Sequence, residues 1–370
     1  MKKLLLILQN VIGKVWTSLI GLPWRRYLRY VARKAVYLLL IFILIVVLRV
    51  FVFEFYSVDS NSMEGTLLNG DLIMVNKICY GARLPRKPNE MPFVEAAAYL
   101  LGFQSWAQDE SWSYRRMPGT GGVKRNDIIV FMHPENEKYI VKRCIGLPGD
   151  TLQISHNCRY INGIIQPESQ EAKFSYNVKS KAENLPVDSL KEYGITNKDF
   201  LWRYKSYFHM SMTDSAAVSL KNCSLIDTVA IDDMPVGTNG PALFPPHYDV
   251  KFTRENYGPV IIPAKNKTIL LNTSNVAFYI DVITKYESNL LNISGNKIYI
   301  NDKETDRYTF KMNYYFMAGD NRYHSIDSRY WGFVPENLLI GKVSFMFFSL
   351  DPEQSGFKKF RMNRMFKSIN

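Results

Sequence analysis

Three short segments of this 370-residue chain hold the residue types that nucleophilic chemistry needs. The first is Ser57-Val58-Asp59-Ser60-Asn61-Ser62-Met63-Glu64-Gly65-Thr66-Leu67. A serine hydroxyl attacks a carbonyl only when a neighbouring base takes its proton, and a serine-rich turn without such a base is a solvated loop. The second is Tyr139-Ile140-Val141-Lys142-Arg143-Cys144-Ile145. In a regular strand Ile140, Lys142 and Cys144 share a face, so Lys142 projects among apolar neighbours. Burial disfavours the ammonium form and turns a lysine into a usable general base, whereas at an open edge the same side chain simply snorkels to water. The third runs from Gly319 through Asp320, Asn321, Arg322, Tyr323, His324, Ser325, Ile326, Asp327 and Ser328 to Arg329. It reads either as a polar turn tied by Asp–Arg pairs or as a buried support. In the support, Ser325 hydrogen-bonds the base and Asp320, Asp327, Arg143 and Arg329 are charge-paired. His324 is a rival base. The histidines at 133, 156, 209, 247 and 324 lack ligand spacing, so no metal is expected.

Positioning these segments falls to strands. Short β-branched runs bounded by Gly, Pro, Asn and Asp predict strands at Asp71–Lys77, Asp127–Met132, Lys138–Ile145, Thr151–Ser155, Lys297–Asn301, Tyr314–Ala318 and Lys342–Phe348. The fold class is therefore mainly β: an antiparallel catalytic domain, residues 54–165 and 297–350, with an inserted second domain, 166–296. A Pro- and Trp-containing stretch, 79–123, reads as an irregular excursion with a short helix near Phe93–Gly102. Tyr160-Ile161-Asn162-Gly163 and Tyr299-Ile300-Asn301-Asp302 look like two hairpin turns. Four cysteines are too few for a disulfide scaffold; an oxidising compartment would allow one bridge, with Cys158 and Cys223 a candidate pair.

The net charge of +12 is concentrated at the ends. Eight Lys or Arg and no acid lie in residues 1–34, and Lys358, Lys359, Arg361, Arg364 and Lys367 mark a basic tail, 351–370. The body between is close to neutral and has no bulk attraction for nucleic acid. Residues 35–53 are apolar apart from Arg49, near the roughly 20 needed to span a bilayer as a helix. Arg49 would snorkel to the headgroups, with Phe53, Phe55 and Tyr56 in the interfacial aromatic belt. Arg25, Arg26, Arg29, Arg33 and Lys34 precede the span, so its N-terminus is expected in the cytoplasm and everything after it outside. Leu4–Leu22, broken by Gln9, Asn10 and Lys14, suits an amphipathic surface helix. The basic tail is either solvated or laid on anionic headgroups. A nucleophile just beyond the span could reach a substrate whose scissile bond follows a membrane-inserted helix.

The three segments together with Arg125–Phe131 resemble the bacterial type I signal peptidases. The family pattern Ser-x-Ser-Met-x-Pro-Thr-Leu matches Ser60–Leu67, and Arg-Gly-Asp-Ile-Val-Val-Phe matches Arg125–Phe131. Lys-Arg-x-x-Gly-Leu-Pro-Gly-Asp matches Lys142–Asp150, and Gly-Asp-Asn-Arg-x-x-Ser-x-Asp-Ser-Arg matches Gly319–Arg329. Gly65 stands where the family has proline, Asn126 where it has glycine, and Asp59 where it often has proline. The resemblance implies a membrane-bound serine endopeptidase that removes signal peptides from exported preproteins after small-x-small sites and needs no cofactor. Ser62 would be the nucleophile and Lys142 the base. Ser60 would assist the oxyanion hole and Ser325 would orient Lys142. Tyr56, Val58, Met63, Leu67, Ile73, Val130, Ile140 and Val141 would line the substrate pockets. The implied location is the bacterial plasma membrane, single-pass, with the catalytic domain on the periplasmic side; its partners would be preproteins and the lipid bilayer. Relatives with a Ser–His pair place the histidine where this chain has Lys142, which disfavours His324. A self-cleaving Ser–Lys repressor would need a DNA-binding domain in place of the apolar span. A catalytically silent scaffold with the same fold is the non-enzymatic alternative, and intact Ser62 and Lys142 argue against it.

Overall fold

In the computed structural model, residues 23–102, 112–183, 185–238, 241–246 and 251–369 are described; the Leu4–Leu22 expectation lies outside them. The chain divides into two compact units, Met1–Val52 with Pro85–Trp112, and Phe53–Leu84 with Ser113–Asn370.

Helix α1 (Pro23–Phe51) dominates the first unit. Its part from Arg26 to Phe51 is 26 residues long and contains an 18-residue window of mean hydropathy 2.6 with none of it buried, which is enough to cross a membrane by length and composition. The helix ends at Phe51 rather than Phe53, because Phe53 already belongs to a strand. The short helix expected near Phe93 is α2 (Val94–Leu101), closed by Gly102 in the left-handed conformation. Phe93 packs its ring 5.2 Å from that of Phe42, and the Arg49 guanidinium lies over the same ring at 6.0 Å. Arg49 thus has an aromatic neighbour in its own unit.

In the second unit the alternating text makes an eight-stranded antiparallel sheet. Its strands are β1 (Phe53–Ser57), β2 (Asp71–Asn76), β3 (Ile128–Met132), β4 (Tyr139–Gly146), β5 (Tyr314–Ala318), β6 (Val334–Pro335), β7 (Leu339–Ser349) and β8 (Lys367–Ser368). The order is β1-β2-β7-β3-β4-β5-β6, with β8 added to β7. β5 pairs only with the end of β4, from Arg143 to Gly146. Among the described residues the first half of β4 therefore keeps an open edge, and so does the outer side of β1. The rings of Tyr56 on β1 and Tyr139 on β4 meet at 5.3 Å, so the sheet curls enough to bring side chains of these two strands together.

The stretch 166–296 is not separated from the catalytic strands, and it consists of two different parts. Residues between Ala172 and Val229 have their own apolar core, including Phe174, Met210 and Leu220. Residues between Leu243 and Ile298 share one core with Ile145, Leu152, Tyr314 and Phe316 of the catalytic strands. Both expected hairpin turns form: Asn162 and Gly163, like Asn301 and Asp302, have positive φ. The side-chain oxygen of each asparagine accepts from a backbone N–H eleven residues upstream, that of Thr151 and that of Leu290.

All four cysteines are free. The pairing of Cys158 with Cys223 does not form, because Cys158 is exposed on a hairpin while Cys223 is buried in the core of 172–229. The basic tail is built into the sheet: β8 pairs with Phe345 and Met346, and Arg364 reaches the fully buried Asp71 at 2.8 Å.

Candidate active site

Ser62 sits in a turn between β1 and β2 that is closed by Thr66 and Leu67 donating backbone N–H groups to Met63 O. The turn is pinned from below by Val58, Met63 and Leu67, all buried in one apolar cluster. Gly65 has φ +109°, and a Cβ there would lie 2.2 Å from Glu171 O. The proline that relatives of this motif carry cannot adopt that φ, so the substitution at 65 goes with a different local path. Asn126, in place of glycine, has φ +69°, a conformation asparagine tolerates better than other non-glycine residues.

Lys142 projects from β4 with 5 % of its surface exposed, and Ser62 retains 6 %. Ile140 and Cys144, which flank it in alternation, pack into one apolar cluster, while Val141 packs against another. Lys142 Nζ and Ser62 Oγ are in direct hydrogen-bond contact. Burial, only partly opposed by the charges of Asp327 and Asp320, lowers the lysine from its ordinary 10.5 to about 8. Ser60 Oγ lies 3.1 Å from Ser62 Oγ. The Ser62 N–H donates to no protein acceptor among the described residues.

The third segment wraps this pair. Arg143 holds Asp320 through two bonds of 2.7 Å and reaches Thr66 Oγ1 at 3.1 Å. Thr66 Oγ1 in turn donates to Asp320 at 2.5 Å. Arg329 grips Asp327 with Nε and Nη2, both at 2.9 Å. Burial alone would raise Asp327, but the charge and hydrogen bonds of Arg329 outweigh it and hold the carboxyl below its ordinary range. Gly319 N donates to Asp327 at 3.0 Å, and Asn321 N donates to Ser62 O at 3.1 Å. A Cβ at Gly319 would meet Ser325 Oγ at 2.2 Å and Ser62 O at 2.4 Å; only glycine permits this approach. Ser325 is 1 % exposed, near enough to Asp327 to help hold it ionised, yet its hydroxyl makes no well-formed hydrogen bond.

Ser60, Ser62, Lys142, Arg143, Ser325, Asp320, Asp327 and Arg329 are thus gathered by three segments that are distant in sequence. Of the apolar set, Val58, Met63, Leu67, Ile73 and Val130 lie in one cluster with Tyr56 and Val141 partly buried against it. Ile140 belongs instead to the cluster on the other side, as its alternation with Val141 requires. His324 is not among the partners of Ser62 Oγ, and burial pushes its pKa down. Sequence reasoning passed over Thr66, Asn321 and Asp71. Asp71 is 0 % exposed and accepts from Leu68 N, Ser349 Oγ and Arg364. A buried carboxylate at the start of a strand leaves no local signal, because its partners lie up to 293 residues away. Ser211, whose hydroxyl donates to Asn321 Oδ1 at 2.9 Å, was equally silent.

Comparison with known proteins gives one consistent answer. The family model described as "Signal peptidase, peptidase S26" matches residues 31–215 and 261–348. The match therefore continues well into the stretch after Gln166. Signal peptidase I of Buchnera aphidicola subsp. Baizongia pistaciae is 26 % identical over 312 residues, which is 84 % of this chain and 74 % of that protein. Signal peptidase I of Helicobacter pylori is 23 % identical over 338 residues, 86 % of each. A solved signal peptidase I from Enterococcus faecalis is 18 % identical and is covered to 97 %, with 60 % of this chain; its TM-score of 0.24 is too low to bear on the argument. The chain belongs to the signal peptidase family, peptidase S26, and is a membrane-anchored hydrolase of peptide bonds.

Proposed function

We propose that Ser62 and Lys142 are the catalytic dyad of a signal peptidase I that cuts exported preproteins after small-x-small sites. The observation that carries this reading is the direct contact of Lys142 Nζ with Ser62 Oγ, with both groups buried and the lysine lowered to about 8. A substrate strand adds between the open edges of β1 and β4, where main-chain hydrogen bonds give affinity and the apolar set around Tyr56 and Val141 accepts the small side chains. Neutral Lys142 takes the Ser62 proton as Oγ attacks the scissile carbonyl, and the Ser62 N–H and the Ser60 hydroxyl receive the oxyanion. The lysine then passes the proton to the leaving amine, and a water activated by the same amine hydrolyses the acyl-enzyme. Ser325 Oγ, buried and without a well-formed hydrogen bond among the described residues, is free to turn to the amine and orient it.

The test is cleavage of a synthetic preprotein by the detergent-solubilised protein. Ser62→Ala and Lys142→Ala each abolish turnover by a similar factor, roughly 10⁴ or more, because nucleophile and base act as a unit; Ser325→Ala slows it. Wild-type turnover in Lys142→Ala would exclude this dyad. The basic cluster before the span supports a cytoplasmic N-terminus with the catalytic unit outside the plasma membrane. Protease added to intact spheroplasts then digests the region after Tyr56, and its protection would reverse the orientation.

A further inference from the structure

We infer that the segment Pro88–Leu101, with α2, is a second membrane-contacting element that lies in the outer interface of the bilayer beside α1. This inference rests on the membrane-anchored reading above. The Phe93 ring is set against Phe42 and under the Arg49 guanidinium. Phe42 is nine residues before the end of α1 at Phe51, about 13 Å along the helix axis at its 1.5 Å rise per residue. If α1 crosses the bilayer, a ring held between Phe42 and Arg49 is below the headgroup level, where the surrounding medium is hydrocarbon.

The next two turns of chain carry exposed apolar side chains. Tyr99, Leu100 and Leu101 are 73 %, 80 % and 67 % exposed, and Phe93 is 46 % exposed. Three consecutive exposed apolar side chains at the end of one short helix are costly in water. Their cover is the lipid, because Phe93 at the start of this helix packs on Phe42 of the apolar, unburied α1 within the same compact unit. Glu90 and Glu95 set the depth: carboxylates are expensive in the bilayer centre and tolerable at its edge, so the segment lies along the interface and does not cross. At the base of the excursion, within the second unit, Arg83 forms a β-bridge with Arg116 and Leu84 N donates to Arg115 O at 3.0 Å.

The experiment uses full-length protein reconstituted in phosphatidylcholine–phosphatidylglycerol vesicles, in a Cys79→Ser, Cys158→Ser background that leaves only buried thiols. An environment-sensitive fluorophore is placed by Leu100→Cys, by Leu40→Cys within α1, or by Ile164→Cys on an exposed hairpin. Quenching is read with nitroxide-labelled phosphatidylcholine, shallow or deep, and with aqueous iodide. The inference predicts that the label at 100 is quenched best by the shallow lipid nitroxide, that at 40 by the deep one, and that at 164 only by iodide. Lipid quenching at 40 with iodide-only quenching at 100 overturns the inference and leaves the anchor standing. Iodide-only quenching at both positions overturns the anchor and the inference together.

Discussion

Lys142 and Arg143 are neighbours on one strand, each about 5 % exposed, yet the fold treats them oppositely. Arg143 receives a carboxylate in bidentate geometry, a backbone carbonyl and a threonine hydroxyl. Lys142 receives a serine hydroxyl and, among the described residues, no carboxylate in ion-pair contact; burial therefore lowers its pKa, opposed only in part by the more distant Asp327 and Asp320. Burial with a full set of partners makes a fixed cation that braces the Gly319–Arg329 loop. Burial without one makes a base. The same strand alternation that points the two side chains in opposite directions assigns them to different work.

The largest expected effect breaks the braced half. Arg143→Ala leaves Asp320 buried without its partner and should cost about 3–5 kcal/mol of stability. Denaturant unfolding at pH 7 measures it, with Arg143→Lys falling between because one ammonium cannot reproduce the fork. A loss under about 1 kcal/mol would mean that this pair is not a structural brace.

The unbraced half should respond with the opposite sign. The folded value of Lys142, about 8, lies below its ordinary 10.5, so the folded state holds this proton less well than the unfolded state does. The cost is fully present below pH 8, shrinks as pH rises through 8, and is gone above 10.5. Lys142→Met should therefore stabilise the inactive protein by up to about 3 kcal/mol at pH 6, and by less at pH 9. Equal thermal midpoints for the two proteins at pH 6 would show that the lysine bears no burial cost.

This contrast was half legible in the sequence. Alternation around Lys142 placed it among apolar side chains, and the strands that hold the site were read to within a few residues of Asp71–Asn76, Ile128–Met132, Tyr139–Gly146 and Tyr314–Ala318. Local pattern carries that much, because a period of two needs no partner to be visible. What it could not carry is which edges stay open and which distant groups meet. The pairing of β8 with β7, the burial of Asp71 against Arg364, and the sharing of one core by residues 243–298 and the catalytic strands are all contacts made across long stretches of chain. The tail from Lys358 read as a charged run, yet its Arg361 and Arg364 are spent on Asn69 O, Thr66 O and Asp71 next to the site turn.

The pH–rate profile of kcat/KM tests most directly whether a buried lysine without a carboxylate partner is the base. Because Lys142 must be neutral in the free enzyme and is lowered to about 8, activity should rise with pH through an acid-side midpoint near that value and reach its plateau only in mildly alkaline solution. A midpoint near the ~6.5 of an ordinary histidine, unchanged in Lys142→Arg, would contradict the account.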